Sequence, residues 1–233
     1  MKKLILALLT AMLFIANSAY AAGTVEDANK AYAKGNYAQA IKIYKPLALK
    51  GNAKAQGKLG EMYELGFGVV ENSAEALKWY KLAAAQGDAM AQLSLGLTYE
   101  LGAGVEEDYA EAVKWYKLAA AQGDVVGQYR LGGMYANGQG IVQDYAEAIK
   151  WYKLAAAQGK TDAQLNLGMM YANGRGVAQD YVTAHMWFNL AAAQGYARAI
   201  KNRALTEELM TAQQITEAQK LARECLARKY KGC

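Results

Sequence analysis

The sequence predicts an all-α solenoid of stacked helix pairs. Three observations predict it. First, the ten letters KWYKLAAAQG recur unchanged from Lys78, Lys114 and Lys150, each copy 36 residues after the last. An altered copy, MWFNLAAAQG, begins at Met186 on the same spacing. Second, the period extends beyond that stretch. Tyrosine returns at Tyr63, Tyr99, Tyr135 and Tyr171, and glycine at Gly60, Gly96, Gly132 and Gly168. Third, each period holds two runs of apolar residues at helical spacing, separated and closed by glycine. Two short helices cannot bury their apolar faces alone, so neighbouring units must stack.

Residues 1–21 read as a secretory signal. Lys2 and Lys3 precede an apolar run from Leu4 to Ile15, and Ala19-Tyr20-Ala21 has the small-x-small form of a cleavage site. The run falls short of the ~20 apolar residues that span a bilayer. The expectation is export to the periplasm or beyond a bacterial cell. No later stretch is apolar and long enough for a stable span. Removing the signal leaves 24 basic residues against 21 acidic ones, a balance of +3. That is too weak to argue for nucleic acid or a membrane surface. Hydrophobic residues make up 54% of the chain, enough to build a core.

Residues 22–52 are expected to form an N-terminal capping unit. Its loop is shorter, its first helix is more polar, and Pro46 falls inside its second helix, where a kink is expected. Four repeats follow at 53–88, 89–124, 125–160 and 161–196. In the second, AMAQLSLGLTYEL places Ala91, Leu95 and Tyr99 on one helix face. Gly96 lies inside that helix, where glycine costs about 1 kcal/mol relative to alanine. Close approach by the paired helix explains it. GAGVEE breaks the pattern. Asp108 with Glu111 then predicts a capping box, repeated as Asn72 with Glu75 and Asp144 with Glu147. Gly123 ends the second helix, where a left-handed residue is wanted, and Asp124 caps the next unit. Ala119–Ala121 let helices approach, while Trp115 and Tyr116 fill the wider gaps. The lysines of the repeated stretch are expected to be its solvent-facing part.

Residues 197–233 are expected to be C-terminal capping helices. Arg203 stands where Leu167 stood one period earlier, which marks a face that receives no further repeat. Thr211 with Gln214 is a capping box opening the final helix.

AQLSLGLTYELGAGVEEDYAEAVKWYKLAAAQGD, from Ala91 to Asp124, resembles the Sel1-like repeat, a relative of the tetratricopeptide repeat with a longer loop between its helices. AHMWFNLAAAQG, from Ala184 to Gly195, with the tail after it, resembles the last repeat and cap of exported bacterial members. The resemblance covers nearly all of 24–233. It implies a right-handed superhelix of antiparallel helix pairs and an adaptor that binds other proteins.

Signals for chemistry are weak. His185 is the single histidine and stands where Val113 and Ile149 stood, so a half-buried packing role is expected. No spacing of His and Cys within a repeat matches a metal site. No nucleophile, base and orienting group come together. Glu106, Glu107, Asp108 and Glu111 cluster, but helix capping already accounts for Asp108 and Glu111. GQG at Gly138 and GRG at Gly174 follow no strand and lack a phosphate-loop Lys-Ser or Lys-Thr. The tryptophan column is read as core. No catalytic residue, metal or cofactor is assigned. A cell-wall enzyme acting through carboxylates is kept as an alternative.

Lysines recur as two columns, Lys42, Lys78, Lys114, Lys150 and Lys45, Lys81, Lys117, Lys153. Glu75, Glu111 and Glu147 lie close enough to offset the first column. A solvated face is the expectation, with docking on an anionic surface polymer as its alternative.

The strongest candidate is the opposite face. In the first helices, positions away from the paired helix are Lys54, Gly57, Glu61 and Glu64 in the first repeat. They become Met90, Leu93, Leu97 and Glu100, then Val126, Tyr129, Gly133 and Ala136, then Asp162, Leu165, Met169 and Ala172. In a curved stack these line a concave groove. Contiguous apolar surface of this kind marks binding sites. A groove for a protein or peptide is therefore expected at Met90, Leu93, Leu97, Glu100, Val126, Tyr129, Leu165 and Met169. Nothing in the sequence demands more than a monomer. Cys225 and Cys233 are expected to join in an oxidising compartment, with Gly232 letting the tail fold back.

Overall fold

A computed structural model describes residues 23–233. The expected signal segment lies outside the described residues. The described residues hold twelve α-helices and no strand. Val25–Ala33 (α1) and Tyr37–Leu49 (α2) precede the repeats. The first repeat holds Ala53–Leu65 (α3) and Ser73–Ala84 (α4), and the second Ala89–Leu101 (α5) and Tyr109–Ala121 (α6). The third holds Val125–Asn137 (α7) and Tyr145–Ala156 (α8), and the fourth Thr161–Asn173 (α9) and Tyr181–Ala192 (α10). Ala197–Glu207 (α11) and Ala212–Ala227 (α12) close the chain. No helix among the described residues is long and apolar enough to cross a membrane.

The chain divides into two compact units, cut within α5. One takes residues up to Leu95 with Ala103–Val105, and the other takes Gly96–Gly102 with Glu106–Cys233. In the first unit, Tyr44, Leu59, Met62 and Trp79 form the buried core. Tyr37 stacks on Phe67 at its edge, with centroids 4.4 Å apart. In the second, Tyr152, Leu167, Trp187 and Leu190 share a core with Ala222 and Cys225 of α12. A satellite cluster joins Leu165, Phe188 and Ala199.

The glycines inside the first helices are required by the paired helix. A Cβ on Gly60 would sit 2.6 Å from the Tyr80 ring, and one on Gly132 would sit 2.7 Å from the Tyr152 ring. Tyr116 blocks Gly96 and Phe188 blocks Gly168 in the same way. The aromatic residue after each tryptophan therefore lies flat against a first helix, as the expected close approach requires.

The capping boxes form by half. Asn72, Asp108 and Asp144 each accept the backbone N–H three residues on, at 3.0, 2.9 and 3.0 Å. The glutamates do not reach back to the cap. Glu75 turns to Lys78 at 3.5 Å, Glu111 to Lys114 at 2.6 Å, and Glu147 to Lys150. The boxes of Thr24 with Asp27 and of Thr211 with Gln214 are complete, the first although Lys30 lies three residues after Asp27.

Sequence reading passed over a column of glutamines. Gln56, Gln92, Gln128 and Gln164 are buried, and each donates to a carbonyl of the preceding second helix, Ala48, Ala84, Ala120 and Ala156. Gln86, Gln158 and Gln194 in turn donate to Gln56, Gln128 and Gln164 at 2.7, 2.9 and 2.9 Å. A buried amide needs such partners. These bonds fix the register of one helix pair on the next.

Other expectations need amendment. Leu82, Leu118 and Leu154 are exposed beside the lysines of the repeated stretch. Ala119 and Ala120 are buried, but Ala121 is exposed. Pro46 lies inside α2, as expected, and the helix runs on to Leu49. His185 is fully buried rather than half-buried, and its Nε2 lies 2.8 Å from Glu207 Oε1. Arg203 donates to Asn189 at 2.9 Å across the α10–α11 packing.

Cys225 and Cys233 form a disulfide, with Cα atoms 5.6 Å apart. The loop it closes lays Tyr230 over Gly159, at the end of the third repeat.

Candidate functional site

The expected groove residues separate into several environments. Met90, in the first unit, is exposed and lines a small cleft of about 200 Å³ with Lys54, Gly57 and Asp88. Leu93, Leu97 and Val126 are half-buried. Leu165 does not face solvent. It is 2% exposed, packed among Phe188, Ala191 and Ala199 where α11 covers α9.

Glu100, Tyr129 and Met169 are brought together in the second unit. They line a cleft of about 530 Å³ with Gly133, Ala136 and Tyr152. Its size is within the ~300–1,000 Å³ of ligand pockets. The cleft lies on the first helices of the third and fourth repeats and ends at the turns that follow them.

The cleft arises where the third repeat departs from the first two. In the first, Tyr80 Oη donates to Glu64 at 2.6 Å. In the second, Tyr116 Oη donates to Glu100. The third keeps the tyrosine, Tyr152, but has Ala136 in place of the glutamate. Gly133 stands where Glu61 and Leu97 stood. Both changes remove bulk from one face of α7, three residues apart. Tyr152 is left as the floor, with Asn166 in the same lining. Burial pushes the Tyr152 hydroxyl up to about 12. The Tyr80 and Tyr116 hydroxyls are raised further, first by burial and then by their glutamates.

Gly132 and Gly133 are neighbours with opposite reasons. Gly132 is required by the Tyr152 ring. At Gly133 the nearest atom to an added Cβ is Tyr152 Oη, 3.8 Å away, an ordinary contact. Gly133 has no positive φ either. A mid-helix glycine costs about 1 kcal/mol relative to alanine, and packing in the fold does not explain this one.

The walls mix apolar and polar groups. Met134 and Met170 are buried beneath, and Met169 is half-buried. The Tyr129 ring lies 5.9 Å from the Tyr152 ring, and Lys160 Nζ sits 5.3 Å from its centroid. On one wall, Arg130 donates to Glu100 at 3.0 Å. At the mouth, the Arg175 guanidinium lies 5.9 Å from the Tyr145 centroid, with no carboxylate partner among the described residues. Asn137 and Asn173 flank it. Arg130, Asn166, Asn173 and Arg175 were missed by sequence reasoning. The departure from the repeat at Gly133 and Ala136 was the available signal.

The opposite face offers less. Lys78, Lys114 and Lys150 are paired with their glutamates. Lys117 lies 5.8 Å from the Tyr135 centroid and Lys153 lies 5.7 Å from that of Tyr171. Among the described residues no three His, Cys, Asp or Glu are grouped as metal ligands.

A model of the Sel1 repeat matches residues 53–88, 89–124, 125–160 and 161–196. A crystal structure of a Sel1 repeat protein from Oxalobacter formigenes is similar, at 31% identity and a TM-score of 0.77 over 86% of this chain and 85% of that one. A protective antigen of uropathogenic Escherichia coli is 39% identical over 83% of this chain, with a TM-score of 0.73. This chain spans 42% of that antigen's length. No curated protein matches the chain.

Proposed function

The chain belongs to the Sel1 repeat family, and from that premise we propose that it is an exported, non-catalytic scaffold that holds a protein partner on its first-helix surface. Sel1 repeat proteins are typically protein-interaction scaffolds. The observation that carries the finer reading is the 530 Å³ cleft, where Glu100, Tyr129 and Met169 meet on first helices. It is half-open and mixes rings, thioethers, amides and guanidinium groups, as partner-binding surfaces do. The paired lysines of the second helices favour this surface over the basic one.

Export is supported by the Cys225–Cys233 bond, which suits an oxidising compartment, and by the form of residues 1–21. N-terminal sequencing of the protein recovered outside the cytoplasm should begin at Ala22; an intact Met1 would overturn export.

Groove binding is tested by crosslinking in the producing cell. Replacing Leu93, Leu97 and Tyr129 together with serine should abolish capture of the partner while circular dichroism retains the helical signal. Unchanged capture would remove the first-helix surface from consideration.

A further inference from the structure

We propose that the cleft of the third repeat is a specificity pocket for a peptide segment carrying an aromatic side chain next to an acidic residue. The proposal rests on the reading that the first-helix surface binds protein. Three observations lead to it. Gly133 weakens its own helix, and neither its backbone angle nor the space around it calls for glycine. Ala136 gives up the Tyr–Glu bond that the first two repeats make through Tyr80 with Glu64 and Tyr116 with Glu100. Both changes open space at the same place, over the Tyr152 ring. A chain that needed only a scaffold would gain stability by keeping glutamate and leucine there.

The lining selects the ligand. Tyr129 and Tyr152 give ring faces and Met134 and Met169 give thioethers, a set that suits a flat aromatic group. The cleft is larger than one side chain needs, which leaves room for the backbone beside it. Asn173 spends one amide N–H on the Met169 carbonyl at 2.7 Å, which leaves its Oδ1 at the cleft to accept a peptide N–H. Arg130 is already engaged by Glu100. Arg175 is held over the Tyr145 ring at the mouth without a carboxylate, so it is the group an acidic residue would meet. Aromatic and acid are placed side by side in the segment, because the floor and the mouth belong to one cleft.

The test uses the full-length protein labelled with ¹⁵N and the blocked tripeptide acetyl-Ala-Phe-Asp-amide. Titration should shift the amides of Gly133, Asn166 and Arg175 saturably and leave Gly57, in the first unit, unmoved. Acetyl-Ala-Ala-Asp-amide should bind at least about tenfold more weakly, since the ring supplies the buried area. Acetyl-Ala-Phe-Lys-amide should bind several-fold more weakly. Ala136→Glu and Gly133→Leu should each abolish saturation. Neither should lower the thermal midpoint, because each restores a side chain that an earlier repeat carries. No saturable shift at the cleft, equal binding by Ala136→Glu, or equal binding of the alanine peptide would overturn the pocket. If Ala136→Glu keeps partner capture while the Leu93, Leu97 and Tyr129 variant loses it, the pocket fails and the groove stands. If that triple variant keeps capture, the groove reading itself fails.

Discussion

The first and third repeats share a plan and differ in how they close it. In the first, Tyr80 reaches Glu64 and the second-helix hydroxyl is spent on a hydrogen bond to that carboxylate. In the third, Tyr152 has no glutamate to reach, and Gly133 with Ala136 leaves open space above the ring. The second repeat resembles the first, and its Glu100 also takes Arg130. The fourth has Phe188 and Ala172, so hydroxyl and glutamate are lost together. A repeat that keeps the hydroxyl and drops its acid is the intermediate case, and it is where the cleft lies. Equivalent positions in a repeat array can therefore be compared as internal controls for one another.

The largest expected effect tests the two adjacent glycines. Gly132→Leu drives a side chain into the Tyr152 ring and should cost about 3 kcal/mol in urea unfolding, by overpacking. Gly133→Leu should cost nothing and raise stability by up to about 1 kcal/mol. Equal losses at both sites would show that Gly133 is a packing glycine like its neighbour.

The hydroxyls come next. Tyr116→Phe should cost about 2 kcal/mol, because the half-buried Glu100 loses a donor. Tyr152→Phe leaves no carboxylate without its donor and should cost at most about 1 kcal/mol. If the two variants unfold at the same urea concentration, the contrast between the repeats is without energetic content.

Alkaline pH gives a smaller, graded effect. The Tyr152 hydroxyl is raised from 10.0 to about 12 in the fold by burial. Its neutral form is the one the fold favours. Above pH 10.0 the unfolded chain sheds this proton first and the unfolded state gains. The stabilisation is whole below pH 10.0 and is lost as pH rises through about 12. Tyr152→Phe should flatten the fall in unfolding free energy across that window. A slope identical to the parent's would contradict the burial of this hydroxyl.

The smallest effect should be the same in both repeats. Glu75→Ala and Glu147→Ala each break an exposed pair with Lys78 or Lys150 and should cost at most about 0.5 kcal/mol. A markedly larger cost in either repeat would mean that the lysine face does more than contact solvent.

Much of this molecule could be read from its letters. Helix ends followed from Asp108, Asp144 and Gly123, because a cap or a left-handed turn is a local requirement met by a few residue types. The stacking units followed from the period. Gly96 was read as a close-approach site, and the Tyr116 ring is what approaches. The candidate site was legible only in part. Glu100, Tyr129 and Met169 were placed on the exposed face, but Leu165, on the same stripe, is buried. Helical spacing says which way a side chain points from its own axis, and at the fourth repeat α11 covers that direction.

The sequence by itself determined the units, their caps and the rings that fill between helices, since these depend on contacts within one period. Only the tertiary structure decided how the buried glutamines bond across repeats. It also decided that two small residues on α7 open onto Tyr152, Asn166 and Arg175. Those side chains lie on different helices and turns. Their meeting depends on the distances between elements, which no local pattern of residues encodes.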